Sequence, residues 1–127
     1  MEVKCVFPSS LPIPKGHYSP AVVYSGVVYV SGQLPIHTDG SIERGDIEEQ
    51  LRLCMNNLKL ILEESGSDMQ HILKVNIYLS DISLWARVNA AYAAIMGDHK
   101  PARAIIPCPV LHYGCGLEVD CTAAVKI

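Results

Sequence analysis

The chain has 127 residues, of which 50% are hydrophobic and 18% are charged, and its formal net charge is −3 at pH 7. This composition predicts one globular domain over residues 1–127 and excludes a disordered chain. The lysines and arginines are scattered and the apolar runs are short, so we expect neither a nucleic-acid partner nor a membrane span.

The five cysteines form no pair with the spacing of a zinc site, and His112 is the only histidine near any of them. An odd number without such spacing predicts reduced thiols used as small core residues. The N-terminal "MEVKCVFPSS" lacks the apolar run of a secretory leader. We therefore expect a cytoplasmic protein without a metal or other cofactor.

The first third of the chain predicts strands. Residues 3–7 predict a short strand, and the prolines of "PSSLPIPKGH" predict an irregular loop after it. In "AVVYSGVVYVSG" two β-rich runs flank Ser25-Gly26, which indicates a hairpin. A further turn is predicted at Asp39-Gly40.

Residues 46–65 predict a helix, because apolar residues recur at positions 47, 51, 54, 58 and 61. Asp46 stands where an N-cap is expected, Glu49 takes the capping-box position, and Gly66 ends the helix. Cys54 falls within the apolar stripe and is expected to be buried.

The remaining elements alternate between strand and helix. A strand is predicted over residues 71–81, and a second helix over residues 83–96 is followed by Gly97. Two strands, roughly 102–107 and 116–126, close the chain. The order of elements predicts an α+β fold, with a single mixed sheet of about six strands and two helices on one face.

The uncovered face of this sheet raises the question of what lies against it. In residues 117–125 one register is apolar, whereas the other holds Glu118, Asp120 and Thr122. By the same alternation, Arg103 and Ile105 share a face. A second face that is partly apolar and partly charged predicts an oligomer interface containing a polar cavity.

Six segments, taken in order, resemble the reactive-intermediate (imine/enamine) deaminases, called the Rid family. "GHYSPAV" and "VYVSGQLPI" resemble its Gly-Pro-Tyr-Ser-x-Ala-Val and Val-Tyr-x-Ser-Gly-Gln segments. "DIEEQLRLCMNNLKLILEESG" and "VNAAYAAIMG" resemble its two helices. "KPARAII" and "GLEVDCTAAV" resemble its Pro-Ala-Arg and terminal Glu segments. Each motif is short, but six in the same order and spacing are specific.

This resemblance implies a chorismate-mutase-like fold, a homotrimer and pockets between subunits. It also implies hydrolysis of 2-imino acids, or of their enamine tautomers, to 2-keto acids and ammonia without a metal or cofactor. The small-molecule partner is then an imino or keto acid. The residues carried over by position are Tyr18, Ser31, Gly32, Asn89, Arg103 and Glu118.

Two segments depart from the family pattern. The family often has cysteine two residues after the arginine, where this chain has Ile105. "LHYGCG", residues 111–116, stands where Leu-Pro-x-Gly is commoner. Pro107 and Pro109 remove backbone donors, which predicts a bulge or a sheet edge there.

The expected chemistry explains these residue types. A guanidinium matches a carboxylate through two charge-assisted hydrogen bonds, so Arg103 is expected to position the imino acid. Glu118, placed on the strand next to that of Arg103, is expected to hold a water and to carry a proton. Tyr18 and Ser31 can donate hydrogen bonds, whereas Asn89 orders the pocket wall. Because an imine is already activated, orientation and one proton carrier suffice.

Structural interpretations of the same residues stay open. Arg103 and Glu118, if on neighbouring strands, are also a possible cross-strand ion pair. Tyr18 fits a packing role, Ser31 fits turn chemistry, and Asn89 fits a satisfied core amide. The five histidines show no catalytic or metal-ligand spacing. His17 is the one histidine next to a candidate site residue, Tyr18.

Three other functions are compatible with such a chain. Some Rid family members carry ribonuclease or translation-inhibitor labels, but the acidic balance disfavours RNA binding. A regulatory module could bind a carboxylate without turning it over, although the presence of both Arg103 and Glu118 favours catalysis. A chorismate-mutase-like isomerase would need more than one arginine for its dicarboxylate.

Overall fold

Six strands and two helices follow one another along the chain, and the computed structural model describes all of residues 1–127. In chain order they are β1 (Lys4–Val6), β2 (Ala21–Tyr24), β3 (Val27–Gln33), α1 (Ile47–Glu64), β4 (Ile72–Leu79), α2 (Trp85–Met96), β5 (Ala102–Pro107) and β6 (Leu117–Ala124). The predicted order of elements is confirmed, and each observed element ends within a few residues of its predicted bounds.

The strands form one mixed sheet in the order β1-β2-β3-β6-β4-β5. All neighbouring pairs are antiparallel except β4 and β5, which run parallel and are connected through α2. The last strand of the chain therefore lies in the middle of the sheet, between β3 and β4. The predicted α+β class with a single sheet of six strands and two helices is confirmed.

Helix α1 forms because its apolar residues recur on one face, and that face supplies much of the core. Leu51, Cys54, Leu58 and Ile61 are all fully buried, as their spacing predicts. Asp46 occupies the N-cap position, but its side chain makes no hydrogen bond with the first turn. The predicted capping interaction is therefore wrong.

Other groups define the two ends of α1. Glu49 pairs with Arg52 rather than reaching back to the cap. Glu48 and Glu49 still favour the helix start, because negative charge there complements the helix dipole. The chain leaves the helix at Gly66, whose φ of +83° is a conformation that glycine adopts without steric cost.

Side chains alternate between the two faces of the sheet. On β6, Leu117, Val119, Cys121 and Ala123 are buried against the helices, whereas the residues between them are partly exposed on the opposite, open face. This confirms the alternation predicted for residues 117–125. Glu118 and Asp120 consequently lie on the open face.

Arg103 lies on the helix-covered side of the sheet. It is paired with the buried Val75 of β4, and Ile105 is paired with the buried Ile77. Partners directly across a strand pair point to the same face. Arg103 and Ile105 therefore share the helix side, as predicted, and Glu118 is on the other.

The sheet order corrects the position of Glu118 relative to Arg103. Glu118 does not lie on the strand next to Arg103, because β4 separates β5 from β6. No ion pair forms between the two residues. The cross-strand ion pair is therefore not present within the chain.

Strand β5 is an edge strand that ends at Pro107, so the sheet edge predicted from the prolines is confirmed. Neither helix combines the length and the apolar character that crossing a membrane requires.

The turn between β2 and β3 generates a prediction about stability. Ser25 has φ +52° and Gly26 has φ +80°, the pair of positive φ values of a type I′ hairpin turn. Asparagine tolerates the left-handed conformation better than serine, so Ser25→Asn should stabilise the fold by a few tenths to about 1 kcal/mol. Thermal unfolding measures the effect. Gly26→Ala is the matched control and should lower the melting temperature; equal melting temperatures for all three proteins would contradict the assignment of the turn.

Candidate functional site

A bulge in β3 opens the sheet where Ser31 and Gly32 lie. Val30 pairs with Cys121 of β6, but the next pairing joins Gln33 to Val119. Three steps along β3 thus match two steps along β6, which leaves one extra residue in β3. Such a bulge redirects side chains and backbone, and it brings Gly32 against the side chain of Glu118.

The contact between Gly32 and Glu118 requires glycine. A Cβ atom built on Gly32 would lie only 2.6 Å from Oε2 of Glu118 and 3.0 Å from its Cδ. The carboxylate therefore lies directly over the Gly32 backbone. Any side chain at position 32 would move the carboxylate or the strand.

Ser31 connects this strand to the proline-rich loop. Its hydroxyl donates a hydrogen bond to the Ser19 carbonyl at 2.7 Å, and its backbone N–H donates to the Pro20 carbonyl at 2.9 Å. The loop that carries Tyr18 is thus fixed against β3. Tyr18 itself is 52% exposed, which disfavours the interpretation of this residue as a packing tyrosine.

These residues surround a cavity of about 520 Å³. One wall is the proline-rich loop from Leu11 to Gly16, and another is the segment that follows the β3 bulge. Tyr18, Ser31, Gly32 and Glu118 all line the cavity. The structure thus brings four of the seven predicted site residues together.

Glu118 is a half-buried carboxyl group for which the structure shows no hydrogen-bond partner. Burial raises its pKa above the ordinary value, and the neighbouring Asp120 raises it further, while His112 opposes the rise. Asp120 is held by the Asn76 side-chain amide at 2.9 Å and the Tyr78 hydroxyl at 3.0 Å. The hydrogen bond to Asp120 raises the pKa of Tyr78 as well.

Arg103 belongs to a second group of residues, built on β5 and α2. Its Nη1 donates a hydrogen bond to Oδ1 of Asn89 at 2.9 Å. Its guanidinium carbon lies 5.0 Å from the centre of the Tyr92 ring and 5.7 Å from that of Trp85, within the range of cation–π attraction. Asn89 is thus not simply a core amide, because its side chain orients the Arg103 guanidinium.

Tyr92 and Ile105 complete this second group. Tyr92 is 6% exposed and its hydroxyl has no hydrogen-bond partner. Burial raises the pKa of this phenol, and the Arg103 guanidinium opposes the rise. Ile105 packs against the edge of the core on the same face as Arg103. None of Asn89, Arg103 and Ile105 lines the cavity beside Glu118.

The two groups cannot hold one small ligand within a single chain. Arg103 on β5 is paired with Val75 of β4, and Glu118 on β6 is paired with Tyr78 of β4. Strand β4 thus lies between the two residues. Standard strand spacing and rise put their backbones roughly 14 Å apart. Their side chains also leave the sheet from opposite faces.

Sequence reasoning missed His112 and Tyr113, which both line the cavity. His17, the histidine singled out from the sequence, does not. The available signal was the departure of "LHYGCG" from the commoner Leu-Pro-x-Gly turn. Lys15 also lines the cavity, and the sequence patterns did not predict this charged residue as part of the site. No three His, Cys, Asp or Glu side chains group closely enough to hold a metal ion.

Comparison with known proteins identifies the family. A family model described as Endoribonuclease L-PSP matches residues 9–125. The crystal structure of YyfA from Yersinia pestis, a protein of the Rid family, has a TM-score of 0.93 and 30% sequence identity over 98% of this chain and 100% of that one. The chain belongs to the Rid family, also known as the YjgF or L-PSP family.

Two other Rid family relatives bear on compartment and ligand. Protein mmf1, mitochondrial, of Schizosaccharomyces pombe is 39% identical over 111 residues, which are 85% of this chain and 68% of that one. The structure of TdcF from Escherichia coli with bound serine has a TM-score of 0.90 and 26% identity, covering 97% of this chain and 99% of that one. The family and fold predicted from the sequence motifs are confirmed.

The environment of Glu118 predicts that this residue lowers stability. A carboxyl whose pKa is raised in the folded state costs nothing below its unfolded pKa, where it is protonated in both states, and destabilises the fold as pH rises through the folded pKa. Glu118→Gln removes that charge, so it should raise the melting temperature near neutral pH and have little effect at about pH 4. Glu63→Gln, on the exposed surface of α1, is the control. A melting temperature that falls at neutral pH would contradict the assigned environment.

Proposed function

We propose that this Rid family protein hydrolyses 2-imino acids and their enamine tautomers to 2-keto acids and ammonia. The observation that carries the proposal is the state of Arg103. Its guanidinium is oriented by Asn89 and by the faces of Tyr92 and Trp85, and no carboxylate of the chain pairs with it. An oriented, half-buried guanidinium without an anion is prepared for an anionic ligand.

The anion proposed is the carboxylate of the imino acid. Nη1 is engaged by Asn89, and a planar guanidinium still has donors for a two-bond contact with a carboxylate. A free amino acid, serine, is the ligand named for TdcF, and amino and imino acids share this group. Arg103 would bind and orient the substrate without transferring a proton.

The proposed site lies between subunits of a homotrimer. One subunit supplies Arg103, Asn89 and Ile105 at its β5 edge, and the adjacent subunit supplies the cavity beside Glu118. The sheet supports this division, because the two groups lie on opposite faces and cannot meet in one chain. A closed cyclic assembly repeats the same contact three times and forms three equivalent sites.

Glu118 is proposed to be the proton carrier. As water adds to the C=N carbon, Glu118 accepts a water proton, the new C–O bond forms, and the π electrons pass to nitrogen. Glu118 then returns the proton to that nitrogen, giving a carbinolamine. Transfer of the hydroxyl proton to nitrogen, again through Glu118, forms the C=O bond and releases ammonia. The protons balance, and neither a metal nor a cofactor enters these steps.

The remaining cavity residues position the reactants. The exposed Tyr18 hydroxyl is available to donate a hydrogen bond to the substrate or the water. Ser31 acts through its bond to Ser19, which holds the Tyr18 loop. The Gly32 backbone leaves room for the Glu118 carboxylate. Ile105 borders the substrate on the Arg103 side and, being apolar, favours an apolar substrate side chain.

RNA cleavage is a second candidate, because the matching family model is described as an endoribonuclease. The net charge of −3 and the presence of only one lysine or arginine in the cavity lining, Lys15, favour the imino acid. Cleavage of a labelled single-stranded RNA that is lost in Glu118→Gln would support RNA as the substrate. We propose a cytoplasmic location for this protein; the name of the S. pombe relative assigns that relative to mitochondria.

A coupled assay tests the proposed reaction directly. An amino-acid oxidase generates imino acids from several amino acids, and 2-keto acid release is followed with and without this protein. Arg103→Lys keeps the positive charge but loses the planar pair of donors, so turnover should fall about ten- to a hundredfold. Folding and assembly should survive, as checked by melting temperature and light scattering.

Lys59→Arg, a conservative change on the exposed side of α1, is the control for Arg103→Lys. If Arg103→Lys is stable, trimeric and fully active, Arg103 does not bind the carboxylate. If the wild-type protein releases no keto acid above background, the proposed reaction is wrong.

A further inference from the structure

The turn before β6 presents an imidazole to the cavity. His112, Tyr113 and Gly114 form a single 3₁₀ turn, in which Tyr113 has φ +60°, a conformation that side-chain-bearing residues rarely adopt. Nη1 of Arg44 donates a hydrogen bond to the Tyr113 carbonyl at 2.9 Å. The His112 and Tyr113 ring centres lie 3.8 Å apart. Arg44 thus contacts the strained turn from outside the cavity, and the Tyr113 ring lies against the His112 imidazole.

His112 and Glu118 line the same cavity. The groups that act on Glu118 come from several elements. Asp120 on β6 raises the pKa of Glu118, and His112 lowers it. The charge of Glu118 in turn contributes to the raised pKa values of Tyr78 on β4 and Cys54 on α1. The charge of Glu118 also contributes to the raised pKa of Cys115, which lies between the turn and β6. Lys15 faces the cavity from the proline-rich loop.

The balance around Glu118 is therefore unfavourable to its charged form. Burial and Asp120 both favour the protonated acid, and the structure shows no hydrogen bond to the carboxylate. Within the subunit, the positive charge that offsets them comes from His112, whereas the Arg103 guanidinium of the proposed site belongs to the adjacent subunit. An imidazole carries that charge in the acidic part of the physiological range and loses it at higher pH. The imidazolium charge is therefore present at the lower pH values, at which the Glu118 carboxylate takes up a proton most readily.

We propose that His112 is a positioning residue for the imine hydrolysis proposed above, and that its imidazolium keeps Glu118 in the carboxylate form that accepts a proton from water. In this role His112 transfers no proton, so the proton steps assigned to Glu118 are unchanged. The inference rests on the proposed function for its catalytic consequence, but the coupling between the two side chains can be measured without turnover.

Three variants separate charge from shape. His112→Gln removes the charge, His112→Lys retains a positive charge without the ring, and His17→Gln is a control at an exposed histidine outside the cavity. The first readout is the pH titration of the Glu118 carboxyl carbon by NMR in the unliganded protein. The second is the pH profile of kcat/KM in the coupled assay.

We expect His112→Gln to move both the Glu118 titration and the acidic limb of the profile to higher pH. The ratio of wild-type to variant kcat/KM should be about three- to tenfold larger on that limb than on the plateau. His112→Lys should restore the wild-type limb, and His17→Gln should not move it.

The outcomes distinguish this inference from the proposed function. If Glu118 titrates identically in wild type and His112→Gln, the inference is overturned even when both proteins are active. Equal displacement in His112→Gln and His112→Lys would show that ring shape matters rather than charge, which also overturns it. If wild type shows no turnover, the proposed reaction fails, and the NMR titration still decides whether His112 controls Glu118.

Discussion

Successive side chains of a strand leave a sheet on opposite faces, and in this chain that alternation directs Arg103 towards the helices and Glu118 away from them. Strand β4 separates them further. Within one chain the guanidinium and the carboxylate therefore cannot neutralise each other. Each has its own neighbours: Asn89 and two aromatic rings orient Arg103, and the Glu118 carboxylate lies against the Gly32 backbone at the bulge of β3.

The same separation accounts for the energetic character of both groups. An Arg–Glu pair within one sheet would stabilise the fold and leave neither side chain free for a ligand. Here the Glu118 carboxyl is half-buried beside Asp120, which raises its pKa, and the Tyr92 hydroxyl under Arg103 is buried without a partner. Unsatisfied groups of this kind cost stability, and they are typical of sites arranged for a substrate or for a neighbouring subunit.

Local patterns in the sequence predict most of the fold but not the arrangement of the site. The stripe through Leu51, Cys54 and Leu58 predicts α1, and Ser25-Gly26 predicts the hairpin, because both signals depend on neighbouring residues alone. The insertion of β6 between β3 and β4 depends on long-range pairing, so the placement of Glu118 next to the strand of Arg103 was wrong. The unusual "LHYGCG" marks the segment that holds His112, but its position in the cavity depends on the Tyr113 turn and its long-range contact with Arg44, which the local pattern does not indicate.

Subunit complementation tests most directly whether Arg103 and Glu118 act from different chains of one site. As pure proteins, Arg103→Lys and Glu118→Gln are each expected to turn over at least about tenfold more slowly than the wild type, and they are co-expressed in equal amounts with different tags. In a cyclic trimer every mixed assembly contains one site with both residues intact, so the mixture should recover about a quarter of wild-type turnover. If mixed trimers form, as shown by native mass spectrometry, and turn over no faster than the pure variants, the divided site is contradicted.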